Sequence, residues 1–385
     1  MDEQTKNISN FVDANREEMI DLWKTLVNIE SGSHNKKGID TIVNKLKTIL
    51  EDENFKTDIL DFKNAGASLI GKSTYENSKK PICLTGHMDT VFKDSAIEKN
   101  PFKIENGKVY GPGVVDMKGG IVVLIYAIKA LNSINYKKRP IKVILIGDEE
   151  VGHANSNLSE VLPEEFKECY ATFNCETGRT DNAIVIERKG CASFILEVRG
   201  IAAHAGNQYE EGKNAVLEIS HKIIDIQNLT NIAEGTTLNV GIVNGGTAGN
   251  VVPEHAEAMI DVRFLKEDML PKIAKELENI TKKTYVEGTK SQLKLESVMH
   301  PMEVINGTKE LFEVVRKTSL ELDLKEPYGK TVGGGSDSSF STMVGVPALC
   351  GMGAQGMYQH TNNEFGYLES LFERTKLLAS SILNL

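Results

Sequence analysis

The segment PICLTGHMDT (residues 81–90) opens as a short, almost wholly apolar run and closes on His87 and Asp89. A run without polar alternation reads as a strand covered on both faces. His87 and Asp89 are two residues apart, so an extended chain puts them on one side. Working outward, β-rich runs recur at 68–71, 141–146 and 170–174, and an apolar helical segment spans 119–131. Strand and helix alternating in this way predict an α/β sheet with helices on both faces, its site gathered where strands end. Two helical stripes precede it: Phe11, Met19, Ile20, Trp23, Leu26 and Val27, then Ile39, Ile42, Val43, Leu46 and Leu50. They read as two amphipathic helices.

Beyond residue 187 the order changes to strand 191–199, helix 211–229, strand 237–243, strand 256–264, helix 266–284 and strand 292–297. A βαββαβ series of this length predicts a ferredoxin-like α+β unit. It interrupts the first domain, which resumes with helix 308–322, the apolar run 346–350 and helix 368–385. The expected division is 1–187 plus 299–385 for a discontinuous α/β domain and 188–298 for the insertion.

Composition narrows the class. The 385 residues carry 44 Lys+Arg against 54 Asp+Glu, a net charge of -10 with both signs interspersed. That balance predicts no nucleic-acid partner, since such binding needs a basic face. The five cysteines lack a C-x-x-C spacing and read as reduced thiols. The acidic amphipathic start lacks the features of a signal peptide, and no apolar stretch approaches the roughly 20 residues of a membrane helix. The expectation is a cytoplasmic protein with no membrane partner.

The candidate chemistry lies at the strand ends. An imidazole whose second N–H meets a carboxylate is oriented as metal-ligating histidines are. Taken alone, His87 reads as a surface residue at a strand end. Asp116 stands in a glycine-rich turn, GPGVVDMKGG (111–120), just before a helix. Asp148, Glu149 and Glu150 crowd the end of strand 141–146, a repulsion that either solvent or a divalent cation offsets. Glu176 ends the strand at 170–174, and His360 lies in a polar loop before the last helix. His87, Asp116, Glu150, Glu176 and His360 together make a carboxylate-rich binuclear metal site plausible on residue types.

In chain order the motifs GHMDTV, GPGVVDMKGG, GDEEVG, CETG, AAHAG, GNVVPE, DVRF, GGGSDSS and YQHTNNE resemble those of the M20 family of zinc metallopeptidases and amino-acid deacylases. Within the family they look most like the glutamate carboxypeptidases. The resemblance implies a zinc-exopeptidase-like catalytic domain, with a mixed sheet between helices, and an inserted lid and dimerisation domain. It implies two Zn2+ per chain, with Co2+ or Mn2+ as alternatives, held by His87, Asp116, Glu150, Glu176 and His360, with Asp116 bridging. It makes Asp89 the residue that orients His87 and Glu149 the general base. It assigns His204 to the substrate carbonyl oxygen, commonly in the partner subunit's site. Asn250, Arg263, Gly334 and Gly335 would receive the substrate carboxylate. On sequence alone His204 is an ordinary loop histidine and Arg263 a charge on an alternating strand.

The implied activity is hydrolysis of the amide bond of a short peptide or N-acyl amino acid with a free carboxylate, by a homodimer. The alternatives are an aminoacylase-type deacylase acting on acetylornithine or succinyl-diaminopimelate, a dipeptidase, and a catalytically silent metal-binding homologue. Glu149 argues against the last, because metal binding alone needs no base beside the ligands.

Overall fold

Ile82–His87 forms a strand buried along its whole length, inside a six-stranded mixed sheet. A computed structural model describes residues 2–385. The strand order is Phe55–Leu60, Ser68–Ser73, Ile141–Ile146, Ile82–His87, Ala171–Asn174 and Ala348–Leu349. The last four run parallel and Ser68–Ser73 is antiparallel to its neighbours. Alternate side chains supply two cores. Leu84, Val143 and Leu145 face one, and Cys83, Ile144 and Ile146 face the other with Leu158, Leu162 and Phe166. Helix Gly119–Ser133 is buried on nearly every side because it lies against the terminal helix Leu368–Leu383 and the opening helices. No polar stripe is needed on a helix with no wet face.

The opening is three helices, Glu3–Ala14, Arg16–Val27 and Lys36–Asp52, where the periodicity predicts two. The break falls at Asn15, whose side-chain amide donates to the Phe11 carbonyl at 2.7 Å. Asn competes with the helical ladder in this way, while apolar spacing carries on across the break. Strand Phe55–Leu60, absent from the sequence reading, has mainly exposed or half-buried residues, so it shows no apolar run.

The chain divides into two compact units. One comprises residues 2–187, 304–331 and 336–385, and the other Arg188–Glu303 with Val332–Gly335. In the second, Gly190–Arg199 and His255–Phe264 alternate buried and less buried residues, as strands with one covered face do. Its sheet order is Thr237–Gly245, His255–Phe264, Gly190–Arg199, Lys290–Met299, antiparallel throughout. Helices Ala215–Gln227 and Met269–Lys282 supply Ile219, Ile226, Leu277 and Ile280 to its core, a ferredoxin-like arrangement. Among the described residues no helix is long and apolar enough to cross a membrane. All five cysteines are free.

Candidate metal centre

Parallel pairing brings the C-terminal ends of Ile82–His87, Ile141–Ile146 and Ala171–Asn174 to one edge of the sheet. His87 ends the first strand, Glu149 and Glu150 follow the second in a short 3-10 turn, and Glu176 follows the third. The fourth contribution is the loop at 111–118. Gly113 there has φ +66°, and a Cβ would meet the Thr90 methyl at 2.4 Å, so only glycine suits both the turn and the close approach.

Asp116 divides its carboxylate between two imidazoles: Oδ1 lies 3.3 Å from His87 Nε2 and Oδ2 lies 3.2 Å from His360 Nε2. His360 Nε2 is also 3.2 Å from Glu150 Oε2, and His87 Nε2 is 3.7 Å from Glu176 Oε1. Donor atoms of His87, Asp116 and Glu150 lie within 4.8 Å of one another, as do those of His87, Glu149 and Glu176. The paired glutamates therefore diverge.

Asp89 does more than contact His87. Its Oδ1 is 3.4 Å from His87 Nδ1 and accepts the Glu149 N–H, while Oδ2 accepts the Glu150 N–H and the Ser33 hydroxyl. Asp89 thus fixes the imidazole through its backbone carbonyl, 3.1 Å from His87 Nδ1, and the nearby carboxylate. The carboxylate also fixes the turn that bears both glutamates. Three hydrogen bonds and the nearby imidazole satisfy a charge that would otherwise be costly to bury.

The electrostatics follow from crowding. Burial opposes the His87 imidazolium, but hydrogen bonds to Asp116 and Asp89 and the charges of Glu149 and Glu176 outweigh it and raise the pKa well above the ordinary histidine value. Hydrogen bonds to Asp116 and Glu150 push His360 up to about 10. Burial would raise Asp116, yet both imidazoles hold it far below the usual carboxylate range. Burial drives Glu149 well upward, opposed by His87 and assisted by Asp337, Glu176 and Glu150. A carboxyl raised in this way is suited to taking and returning a proton.

These residues fit a divalent cation. Glu150 Oε1 is buried without a hydrogen-bond partner, and such an orphaned oxygen calls for a ligand. With Nδ1 of His87 held by Asp89, its Nε2 faces the carboxylates. His87, Asp116, Glu150, Glu176 and His360 are all oxygen or imidazole donors, the set that suits zinc, cobalt or manganese.

The remaining candidates lie in the second unit. His204 pairs with Val251 in a two-residue ladder, and Ala205 N–H donates to the Asn250 carbonyl, so His204 and Asn250 adjoin. The Gly206 and Asn207 N–H groups both donate to His204 Nδ1 at 3.1 Å, which leaves the ring proton on Nε2. Arg263 donates Nε and Nη2 to Asp261 at 2.8 Å each and Nη1 to the Gly333 carbonyl at 3.5 Å. The Gly334 and Gly335 carbonyls accept from Arg188, a residue that sequence reasoning did not single out.

Sequence reasoning also missed His153. Its ring bridges Asp148 Oδ1 at 3.2 Å and Asp337 Oδ1 at 2.8 Å, buried behind the Glu149 turn. Burial opposes its protonation, but the two carboxylates prevail and lift it to about 11 from 6.5. A group raised on folding stabilises fully below its unfolded pKa and loses that contribution as pH climbs through the folded one. The melting-temperature gap between wild type and His153→Gln should therefore be largest below about pH 6.5, on the order of 5 °C, and close towards pH 11. Melting curves across that range check this; a constant gap would mean a neutral ring.

A profile of Peptidase family M20/M25/M40 matches residues 83–384. The chain belongs to this family. Among its relatives, carboxypeptidase G2 of Pseudomonas sp. (strain RS-16) is 26% identical over 374 residues, covering 95% of this chain and 89% of that protein. Succinyl-diaminopimelate desuccinylase of Rickettsia rickettsii (strain Sheila Smith) is 28% identical over 382 residues, covering 93% and 96%. The fold matches aminopeptidase PepT from Bacillus cereus ATCC 10987 with a TM-score of 0.83 at 23% identity, covering 96% of this chain and 98% of the other. This M20 chain is a hydrolase of amide bonds, and its family implies a divalent metal.

Proposed function

We propose that the protein is a binuclear zinc hydrolase that cleaves the amide bond of a short peptide or N-acyl amino acid bearing a free carboxylate, in the manner of a glutamate carboxypeptidase. The two-sided engagement of Asp116 by His87 and His360 carries this reading, because a shared carboxylate between two imidazole-bearing donor groups is what paired ions need. His87 and Glu176 would hold one ion, Glu150 and His360 the other, and Asp116 both. When bound, the ions supply Lewis-acid polarisation of the scissile carbonyl and acidify water towards a pKa of about 7.

The protein groups have separate tasks in this mechanism. Glu149 takes a proton from water at its carboxylate and returns it to the leaving amine nitrogen. His204 donates its Nε2–H to the carbonyl oxygen as negative charge develops there, in the tautomer its Nδ1 contacts favour. Arg263, exchanging its 3.5 Å contact with the Gly333 carbonyl, and Asn250 hold the substrate carboxylate, and Gly334 and Gly335 line the carboxylate end. Arg suits that role because its fork matches two oxygens. The free thiols support a cytoplasmic setting.

The experiment is a panel of free-acid peptides, N-acyl amino acids and dipeptides given to zinc-loaded protein. Turnover of glutamate-terminated amides above acetyl- and succinyl-amines supports the carboxypeptidase reading. Preference for succinyl- or acetyl-diamino acids would move the assignment to a deacylase, the activity named for the desuccinylase relative. Loss of turnover when the carboxylate is amidated is expected in either case.

His204 is assigned to the partner subunit's site in a homodimer formed through the second unit, and this gives a further expected result. His204→Ala and Glu149→Gln proteins should each be inactive. Unfolded and refolded together in equal amounts, half the dimers are mixed and each holds one complete site, so activity should return to about a quarter of wild type. Mixed dimers verified by mass spectrometry yet inactive would overturn the assignment of His204 to the partner's site.

A further inference from the structure

We propose that Glu364 is a positioning residue that presets Asp116 and His360 against each other for metal binding. This rests on the reading of those residues as ligands. Glu364 is completely buried, and its carboxylate takes three backbone N–H groups from the loop bearing Asp116. Oε2 accepts from Gly113 at 3.1 Å, and Oε1 accepts from Val115 at 2.8 Å and from Asp116 itself at 3.0 Å.

The same residue belongs to the turn that presents His360. The Thr361 hydroxyl donates to the Tyr358 carbonyl at 2.7 Å, Asn363 N–H donates to the Thr361 hydroxyl, and Glu364 N–H donates to the Thr361 carbonyl. This turn joins strands Gly356–Met357 and Phe365–Tyr367, and Phe365 pairs with Tyr110 at the mouth of the Asp116 loop. Glu364 therefore links two ligand loops some 250 residues apart in sequence.

The other polar groups of the Asp116 loop are held elsewhere. Trp23 Nε1 donates to the Val114 carbonyl at 2.7 Å and the Thr177 hydroxyl to the Val115 carbonyl at 3.0 Å. With the carbonyls taken by Trp23 and Thr177, the N–H groups need an acceptor that is buried and has two oxygens. A carboxylate meets three converging donors, whereas an amide would turn its own N–H2 on one of them. Glu364 touches none of the ligand atoms through its carboxylate; its influence on them runs through the backbone of residues 113–116 and through its own turn.

Two variants test this. Glu364→Gln keeps the shape but replaces one oxygen, and Glu364→Asp keeps both oxygens but shortens the reach. Each is stripped with chelator, checked for folding by circular dichroism, and titrated with zinc by calorimetry alongside wild type. Wild type should take up two equivalents. Folded Glu364→Gln should bind at least one of them about 10- to 100-fold more weakly, the usual loss when a group supporting a ligand is removed. Excess zinc should then restore much of kcat with little change in KM.

A folded Glu364→Gln protein binding both equivalents with wild-type affinity overturns the proposal. If that variant does not fold, Glu364→Asp decides by the same criterion. If neither folds, Glu364 serves the fold at large and the proposal fails. Wild-type protein that takes up no zinc would instead bring down the metal reading, and this proposal with it, which separates the two failures.

Discussion

Glu149→Gln is expected to lose at least about 100- to 10,000-fold in kcat, the contribution of a positioned proton-transfer group, while its zinc content stays close to wild type. The reasoning starts from the divergence of the paired glutamates. Glu150 faces His360, with Oε2 3.2 Å from its ring nitrogen, whereas Glu149 groups with His87 and Glu176. The amide of a glutamine keeps the volume and leaves untouched the backbone N–H that Asp89 accepts. It removes only the ability to take up a proton. Elemental analysis beside steady-state rates separates the two properties. Near-wild-type turnover would remove Glu149 from the chemistry, and loss of zinc in parallel with activity would recast it as a ligand.

Asp116→Ala should fail differently. One substitution withdraws an oxygen from His87 and another from His360, so both halves of the centre lose a donor at once. Zinc retained after dialysis should fall well below that of wild type. Activity should fall by more than about 1,000-fold, because Lewis-acid stabilisation of several kcal/mol is lost. The loss of the carboxylate also removes a hydrogen bond that raises the pKa of each imidazole, so both should titrate lower in the zinc-free variant. Metal analysis and rates at saturating zinc check this. Two equivalents bound at wild-type strength would show that Asp116 bridges nothing.

The two variants probe parts of the centre that were unequally legible. His87, Asp116, Glu150, Glu176 and His360 stand out because strand ends and glycine turns are local features, and polar residues there interrupt apolar runs. The strands at Ile82–His87 and Ile141–Ile146 and the helix at Gly119–Ser133 match the apolar runs for the same reason: periodicity is a property of neighbours in the chain. The break at Asn15 is also local. Apolar spacing is blind to it, because a side-chain hydrogen bond to the preceding turn leaves the stripe unchanged.

What the sequence by itself determined is therefore the alternation of strands and helices, the βαββαβ series, and the identity of the ionisable groups at strand ends. Tertiary structure alone decided which of those groups meet. Asp148 stands beside Glu149 in sequence yet turns to His153, and Asp337 comes from 184 residues away to complete that contact. Glu364 reads as one more acid in a polar loop until the N–H groups of residues 113, 115 and 116 converge on it. Side-chain periodicity reports which face of an element is buried. A buried carboxylate is specified by donors that arrive from distant segments, and only the packed chain brings them within reach.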